Sequence, residues 1–261
     1  MTSDDFLATD SSAARVYDWL LGGSNNTAAD RALGERFVAA QPQARMIARM
    51  NRAFLRRSVL YMVQRGIRQF LDIGSGIPTV GNVHEIAHRA DPDIRVLYVD
   101  KEHVAVAHSQ LLLTGEPGTD ILLGDLAHPV EILGSSQARK ILDLSEPIGL
   151  LMLGVLHFVP EAQRPYAALA SYRDRLAPGS HLAISHLAAD MMPTQQAGMA
   201  TVMNESRDPM YLRDRADVLR FFDGFDLVEP GLVCAPQWRP ESPVPGDPTL
   251  SGIWAGVAEL R

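Results

Sequence analysis

The sequence predicts an α/β fold with a mainly parallel sheet, fronted by an N-terminal helical extension. Three observations predict it. From residue 69 onward, short apolar runs of strand length alternate with segments of helical spacing, the pattern of repeated βαβ units. Several of these runs end on Asp or Gly, as strands do where they turn into a loop at the rim of a sheet. Residues before Gly66 carry helical spacing only. The chain therefore divides into a helical extension or lid over 1–66 and a sheet-containing core over 67–261.

Taken in order, residues 1–10 read as a frayed tail. Ser12 is placed to cap a helix through Arg15, Val16, Tyr17, Trp19 and Leu20, which Gly22-Gly23 stops. A second helix is expected from Ala28 to Ala40, before Pro42. A third is expected from about Ala44 to Gln64, with Ile47, Phe54, Val59 and Val63 among its periodic apolar positions and Gly66 at its end. Residues 69–73 predict a strand, Gly74-Ser-Gly76 a tight loop, and 80–89 a helix. Residues 94–99 predict a strand ending in Asp100, 102–113 a helix, and 120–123 a strand ending at Gly124-Asp125. A buried strand over 148–153, a helix over 161–176 and a fifth strand over 181–185 follow. Residues 226–233 and 253–260 are expected to close the sheet as a hairpin, joined across the proline-rich stretch from Pro236 to Pro248.

Composition narrows the function. The chain has 261 residues, 46% hydrophobic and 21% charged, with average glycine and proline, so it reads as globular rather than disordered. The longest nearly uncharged apolar run, Ile148 to Val159, is too short to span a membrane, and the acidic first residues do not form a signal pattern. One cysteine, Cys234, excludes an internal disulfide and a cysteine metal cage. A reducing, cytoplasmic location is expected. The net charge of −7 disfavours nucleic acid as a bulk partner. The charge is uneven: residues 1–68 carry ten Arg against six Asp and Glu, and the remainder is strongly acidic. Two regions with different roles are the natural reading.

The chemistry gathers at the strand ends. Asp72-Ile-Gly74-Ser75-Gly76 lies between a strand and a helix, where two glycines let the backbone turn sharply and approach a ligand. A helix beginning behind the loop would offer unpaired N–H groups to an anion. The dinucleotide fingerprint needs a third glycine three residues on; Thr79 stands there behind Pro78, which disfavours NAD. Asp100, which ends the next strand, can accept both hydroxyls of a ribose, and Asp125, which ends the third, can accept from an exocyclic amine such as adenine's. Taken one at a time, these are turn glycines and capping aspartates of any α/β protein; in order they describe an adenosine site. With no Walker lysine motif, S-adenosylmethionine (SAM) is the expected cofactor, and its methyl group is already activated, so positioning can supply much of the catalysis.

At this point the chain resembles a family of class I SAM-dependent methyltransferases whose acceptor is largely unassigned. The likeness covers Ala14-Arg-Val-Tyr17-Asp-Trp-Leu-Leu-Gly-Gly23, Asn51-Arg-Ala-Phe-Leu-Arg56, Gln69-Phe-Leu-Asp-Ile-Gly-Ser-Gly-Ile-Pro-Thr79, Val155-Leu-His-Phe-Val-Pro160, Glu229-Pro-Gly-Leu-Val233 and Trp238-Arg-Pro240, among other stretches. The resemblance implies a seven-stranded, mostly parallel Rossmann-like sheet. It also implies a SAM pocket lined by Gly74, Ser75, Gly76, Asn82, Asp100, Asp125 and Leu126, with Asp72 and Lys101 beside them. The sequence departs from the family pattern at Ser24-Asn25-Asn26-Thr27 and at Lys101-Glu102-His103.

The expected activity is methyl transfer to an oxygen or nitrogen of a small-molecule acceptor. His157, just past the fourth strand, is a candidate general base or orienting group, and also reads as a packed histidine; His186 carries the same two readings. Tyr17 is a second candidate, flanking Gly22-Gly23 in a unit that either folds over the cofactor or packs on the sheet edge. Leu153-Gly-Val-Leu-His157-Phe lacks the signature of amino-methylating DNA enzymes. The alternatives are a non-catalytic SAM-binding protein on the same fold and a zinc hydrolase using His84-Glu85-Ile-Ala-His88, a pattern that also arises by chance on a helix face. No metal site is expected. Arg45, Arg49, Arg52 and Arg56 share one helix face, which suits an anionic group or simply a solvated surface. The methionines between Met191 and Met210 suit either a hydrophobic cover or core packing, and Cys234 reads as an inert, partly buried residue.

Overall fold

In a computed structural model, which describes residues 11–78 and 81–261, Ser12 accepts the Arg15 N–H and starts helix α1 (Ala13–Leu21), and Gly22 closes it in the left-handed region at φ 88°. Thr27 starts α2 (Ala28–Ala40) through a reciprocal capping box with Asp30. The long α3 (Ala44–Gln64) follows. All three lie where the sequence predicts them. The tail expectation for residues 1–10, and Thr79 and Val80 in the glycine loop and at the expected helix start, fall outside the described residues.

Strand β1 (Gln69–Ile73), α4 (Val83–His88), β2 (Arg95–Asp100), α5 (His103–Leu112) and β3 (Thr119–Leu123) form the first half of the sheet. Short helices α6 (Pro129–Leu133) and α7 (Ser136–Ile141) lead into β4 (Gly149–Leu153), α8 (Pro165–Arg173) and β5 (His181–Leu187). Then come α9 (Pro193–Met203), α10 (Arg215–Leu219), the two-residue strands β6 (Asp226–Leu227) and β7 (Val233–Cys234), and β8 (Ile253–Glu259). The strand order is β3-β2-β1-β4-β5-β8-β6, with β7 also on β8. Strands β1 to β5 pair in parallel, and β8 is antiparallel to β5, β6 and β7. The seventh position of the sheet is thus filled by two short strands, and the expected strand over 226–233 is interrupted around Pro230.

Alternation along the strands builds two cores. In β4, Leu151 and Leu153 face the layer holding Phe54, Val59 and Met62 of α3. Leu150 and Met152 face Leu169 and Tyr172 of α8. Helix α3 is pinned to the C-terminal segment as well: Trp238 is fully buried edge-on to Phe54 and Tyr61, and Arg57 donates to the carbonyls of Trp238 and Ala235. The helix expected over 161–176 is broken. A 3-10 turn over Glu161–Gln163 ends at Arg164 with φ 52°, and α8 begins on Pro165, whose ring cannot continue a helix from behind. Helices α6, α7, α9 and α10 are too short or too irregular in pattern to announce themselves by periodicity. Among the described residues no helix is long and apolar enough to cross a membrane.

Candidate active site

The chain reverses direction in the sheet at β1, which lies between β2 and β4. Parallel sheets open a crevice at such a switch point, beyond the C-terminal ends of the strands. Here a cavity of about 620 Å³ lies over the ends of β1 to β5, roofed by α1, α2, α3 and α9.

The glycine loop forms its floor. Gly74 has φ 73°, and a Cβ there would stand 2.3 Å from Val155 Cγ2. Gly76 has φ 67° with open space where a Cβ would be. The loop's own amides are already engaged. The Gly74 and Ser75 N–H groups donate to the Val99 carbonyl at 2.8 and 3.2 Å, and Gly76 N–H donates to Asp100 Oδ2 at 2.7 Å. The next helix, α4, starts only at Val83, so its first turn is not behind the loop as the sequence reading expected. What the loop leaves over is the buried Ser75 hydroxyl, which has no partner among the described residues.

Asp100 sits on β2 with both oxygens placed: Oδ2 on Gly76 N–H, and Oδ1 on Glu102 N–H at 2.9 Å. Burial raises its pKa, and the two N–H donors oppose the rise. An ionised carboxylate has about four acceptor positions, so two remain for hydroxyl groups. Asp72, on β1, is pushed to about 7 by burial, held back by Arg52 and pushed further by Asp100. Asp125 follows β3 and accepts Ala127 N–H at 2.9 Å, while Leu126 is buried with its carbonyl held by the Tyr172 hydroxyl. Lys101 leans across to Asp208 Oδ1 at 3.0 Å. All of these line the cavity. Asn82 does not; its amide donates to Glu85 Oε1 at 3.0 Å, beside α4.

The catalytic candidates line the same cavity. His157 lies on a 3-10 turn after β4, and its Nδ1 is buried without a partner among the described residues. Burial, then His186 and Arg213, holds its pKa well below the usual histidine range, so the ring is neutral at pH 7. His186 is a packed histidine: Nδ1 donates to the Leu187 carbonyl at 2.7 Å, Nε2 accepts from Arg213 at 3.1 Å, and burial lowers its pKa to about 3. Arg213 also ties down the His157 turn through the carbonyls of Leu156 and Val159 and the Glu161 carboxylate. Tyr17 lines the cavity, with its hydroxyl donating to the Ala48 carbonyl and accepting from Asn51 Nδ2, both at 3.1 Å. Asn51 Oδ1 in turn accepts from the Ser185 hydroxyl at 2.6 Å.

Asn51 and Ser185 were not singled out from the sequence. A signal existed for Asn51, an amide on the apolar face of α3 between Ile47 and Phe54-Leu55. Also unforeseen is the buried ion network that docks the N-terminal helices. Arg15 pairs with Asp30 at 2.7 Å and with Glu102 at 3.0 Å, and Glu102 also holds Arg207 at 2.5 Å. Asp30 further accepts the Ser12 and Thr27 N–H groups and the Thr27 hydroxyl. Burial would raise its pKa, but Arg15 and Thr27 outweigh that and hold it low. Removing one partner of such a network leaves an uncompensated buried charge.

The zinc-like pattern is committed elsewhere. His84 Nδ1 meets the Tyr98 hydroxyl at 2.7 Å, His88 Nε2 meets the Ile94 carbonyl at 2.8 Å, and Glu85 accepts Gly81 N–H at 2.8 Å. Among the described residues no group of three ligand side chains gathers. Three of the four arginines on this face are partnered: Arg45 lies over Trp19, Arg52 donates to the Gly81 carbonyl and Arg56 pairs with Glu241, while Arg49 is exposed. Of the methionine cluster, Met199, Met203 and Met210 are buried and line the cavity, so packing and cover are one role. Cys234 is buried against Met191.

Residues 2–261 match a family model described as S-adenosyl methyltransferase. A proposed methyltransferase from Thermobifida fusca YX is 36% identical, with a TM-score of 0.92 over 97% of this chain and 96% of that one. A DUF574 family protein from Streptomyces avermitilis MA-4680 is 33% identical, with a TM-score of 0.93 over 97% and 99%. Human N-acetylserotonin methyltransferase, solved in complex with SAM, shares the fold alone, at 16% identity and a TM-score of 0.51 over 99% of this chain and 65% of that one. No curated protein matches.

Proposed function

Since the chain belongs to the S-adenosyl methyltransferase family and is a SAM-dependent methyltransferase, we propose that it methylates an oxygen or nitrogen of a small molecule held between the strand ends and the N-terminal helices. The observation that carries this reading is one cavity lined together by the Gly74–Gly76 loop, Asp100, Asp125, His157 and Tyr17.

The residues present suit the cofactor. The Ser75 hydroxyl, without a partner among the described residues, and the acidic Asp72 would receive its amino-acid end, Asp100 its ribose, and Asp125 with Leu126 its adenine. SAM supplies a methyl group already activated on a sulfonium. The chain's own task is then to align the acceptor, exclude water and hold a proton. Neutral His157 has a lone pair for an acceptor O–H or N–H proton, and the Arg213 clamp fixes the turn that carries it. Tyr17, with its hydroxyl fully engaged, shapes the wall. Helices α1 and α2 act as the lid, fastened at Glu102 next to Asp100. The single, buried cysteine suits a reducing compartment such as the cytoplasm.

Incubation with methyl-labelled SAM and a panel of small phenols, alcohols and amines tests the proposal. Label is expected in an O- or N-methylated small product. Transfer only to protein or nucleic acid, or no transfer to any member of the panel, would contradict it.

A further inference from the structure

We propose that the acceptor is an uncharged, predominantly apolar molecule that presents one hydroxyl or amino group to the cofactor; this rests on the methyltransferase reading of the same cavity. The charge on the cavity wall is segregated. Among the described residues, its Asp, Glu, Lys and Arg side chains stand around the ends of β1, β2 and β3. There they are matched: Lys101 with Asp208, Glu102 with Arg15 and Arg207, and Arg52 on the Gly81 carbonyl beside Asp72. That end is accounted for by the cofactor.

The other end has a different chemistry. Phe37, Ile47 and Leu55 of the N-terminal helices and Met199, Met203 and Met210 all line the cavity and belong to one buried apolar cluster. Methionine adapts its shape to an apolar guest. The polar groups on this side are neutral and mostly spoken for. Ser185 donates to Asn51, Asn51 to Tyr17, and Tyr17 to the Ala48 carbonyl. An ion seated here would lose its water, and the charge that acts on Tyr17, Arg52, already donates to the Gly81 carbonyl.

The tip of β4 offers a place for a reacting atom. A Cβ on Gly154, at the tip of β4, would lie 3.2 Å from Asn51 Nδ2 and 3.9 Å from His157 Cε1, so the two side chains flank the backbone there. A molecule whose body fills the apolar end presents its polar group at that point.

Calorimetry of the full chain saturated with S-adenosylhomocysteine tests this with three probes built on one naphthalene ring: 1-naphthol, 1-naphthalenesulfonate and 1-naphthylmethylammonium. Naphthol is expected to bind at least tenfold more tightly than either ion. Met199→Glu, and the milder Met203→Gln, are expected to weaken naphthol by tenfold or more while S-adenosylhomocysteine affinity stays within twofold, which also reports an intact fold. Ions that bind as well as naphthol, naphthol binding that ignores both substitutions, or no naphthol binding to the loaded protein would overturn the proposal and leave the methyltransferase reading standing. Failure of wild type to bind S-adenosylhomocysteine would instead strike the reading beneath it.

Discussion

Asp100→Ala is expected to weaken S-adenosylhomocysteine binding by roughly tenfold to a hundredfold, the range for losing hydrogen bonds to a charged group at about 1.5–3 kcal/mol. The carboxylate organises the loop as well as the ligand, since it accepts the N–H groups of both Gly76 and Glu102. Asp100→Asn retains one acceptor and the shape, and is expected to fall between alanine and wild type. Calorimetry measures the affinities, and thermal melting shows that each variant is folded. Equal affinity in wild type and Asp100→Ala would remove Asp100 from the site.

A pH dependence accompanies this. Burial raises Asp72 to about 7, so near neutral pH the free protein partly holds a proton there that a bound cation displaces. Asp72 must be ionised to meet the positive amino group of the cofactor's amino-acid end. Affinity for SAM is therefore expected to rise as pH increases from 6 to 8 and then level off. An affinity that falls over that range would contradict the placement of the cation beside Asp72.

His157→Ala is expected to lower kcat about a hundredfold or more, the usual scale for losing a positioned proton acceptor, with S-adenosylhomocysteine affinity unchanged within twofold. The assay uses whichever acceptor the labelled panel identifies. Desolvation keeps the ring neutral, so wild-type kcat is expected to show no inflection from this residue between pH 6 and 8. Its proton-accepting form is lost only in more acidic solution. The neighbouring His186→Ala is not an equivalent control, because that ring supports Arg213 and with it the turn itself. A His157→Ala enzyme with wild-type kcat would make the residue a packing element.

Much of this was legible in the chain itself. The Ser12 cap and the Gly22 stop located α1, Pro42 bounded α2, and helical spacing up to Gly66 located α3, because these signals act through local hydrogen bonds and backbone geometry. Strand ends at Asp100 and Asp125 were legible because each marks a switch from apolar run to polar rim. The split of the last edge strand was not, since it depends on which part of the 226–234 segment meets β8. Nor was the engagement of the loop amides by Val99 and Asp100, which requires β1 and β2 side by side. The Arg15-Asp30-Glu102 network joins residues far apart in sequence, and no local pattern announces it. The same holds for Ser185 and Asn51, 134 residues apart and joined by one hydrogen bond.

A crystal structure of the protein grown with S-adenosylhomocysteine bears most directly on where the cofactor lies. The nucleoside is expected over the Gly74–Gly76 loop, with its ribose hydroxyls on Asp100, its purine beside Asp125 and Leu126, and its sulfur facing the gap between His157 and Asn51. Density for the nucleoside at any other place on the chain, or a ribose out of reach of Asp100, would contradict it.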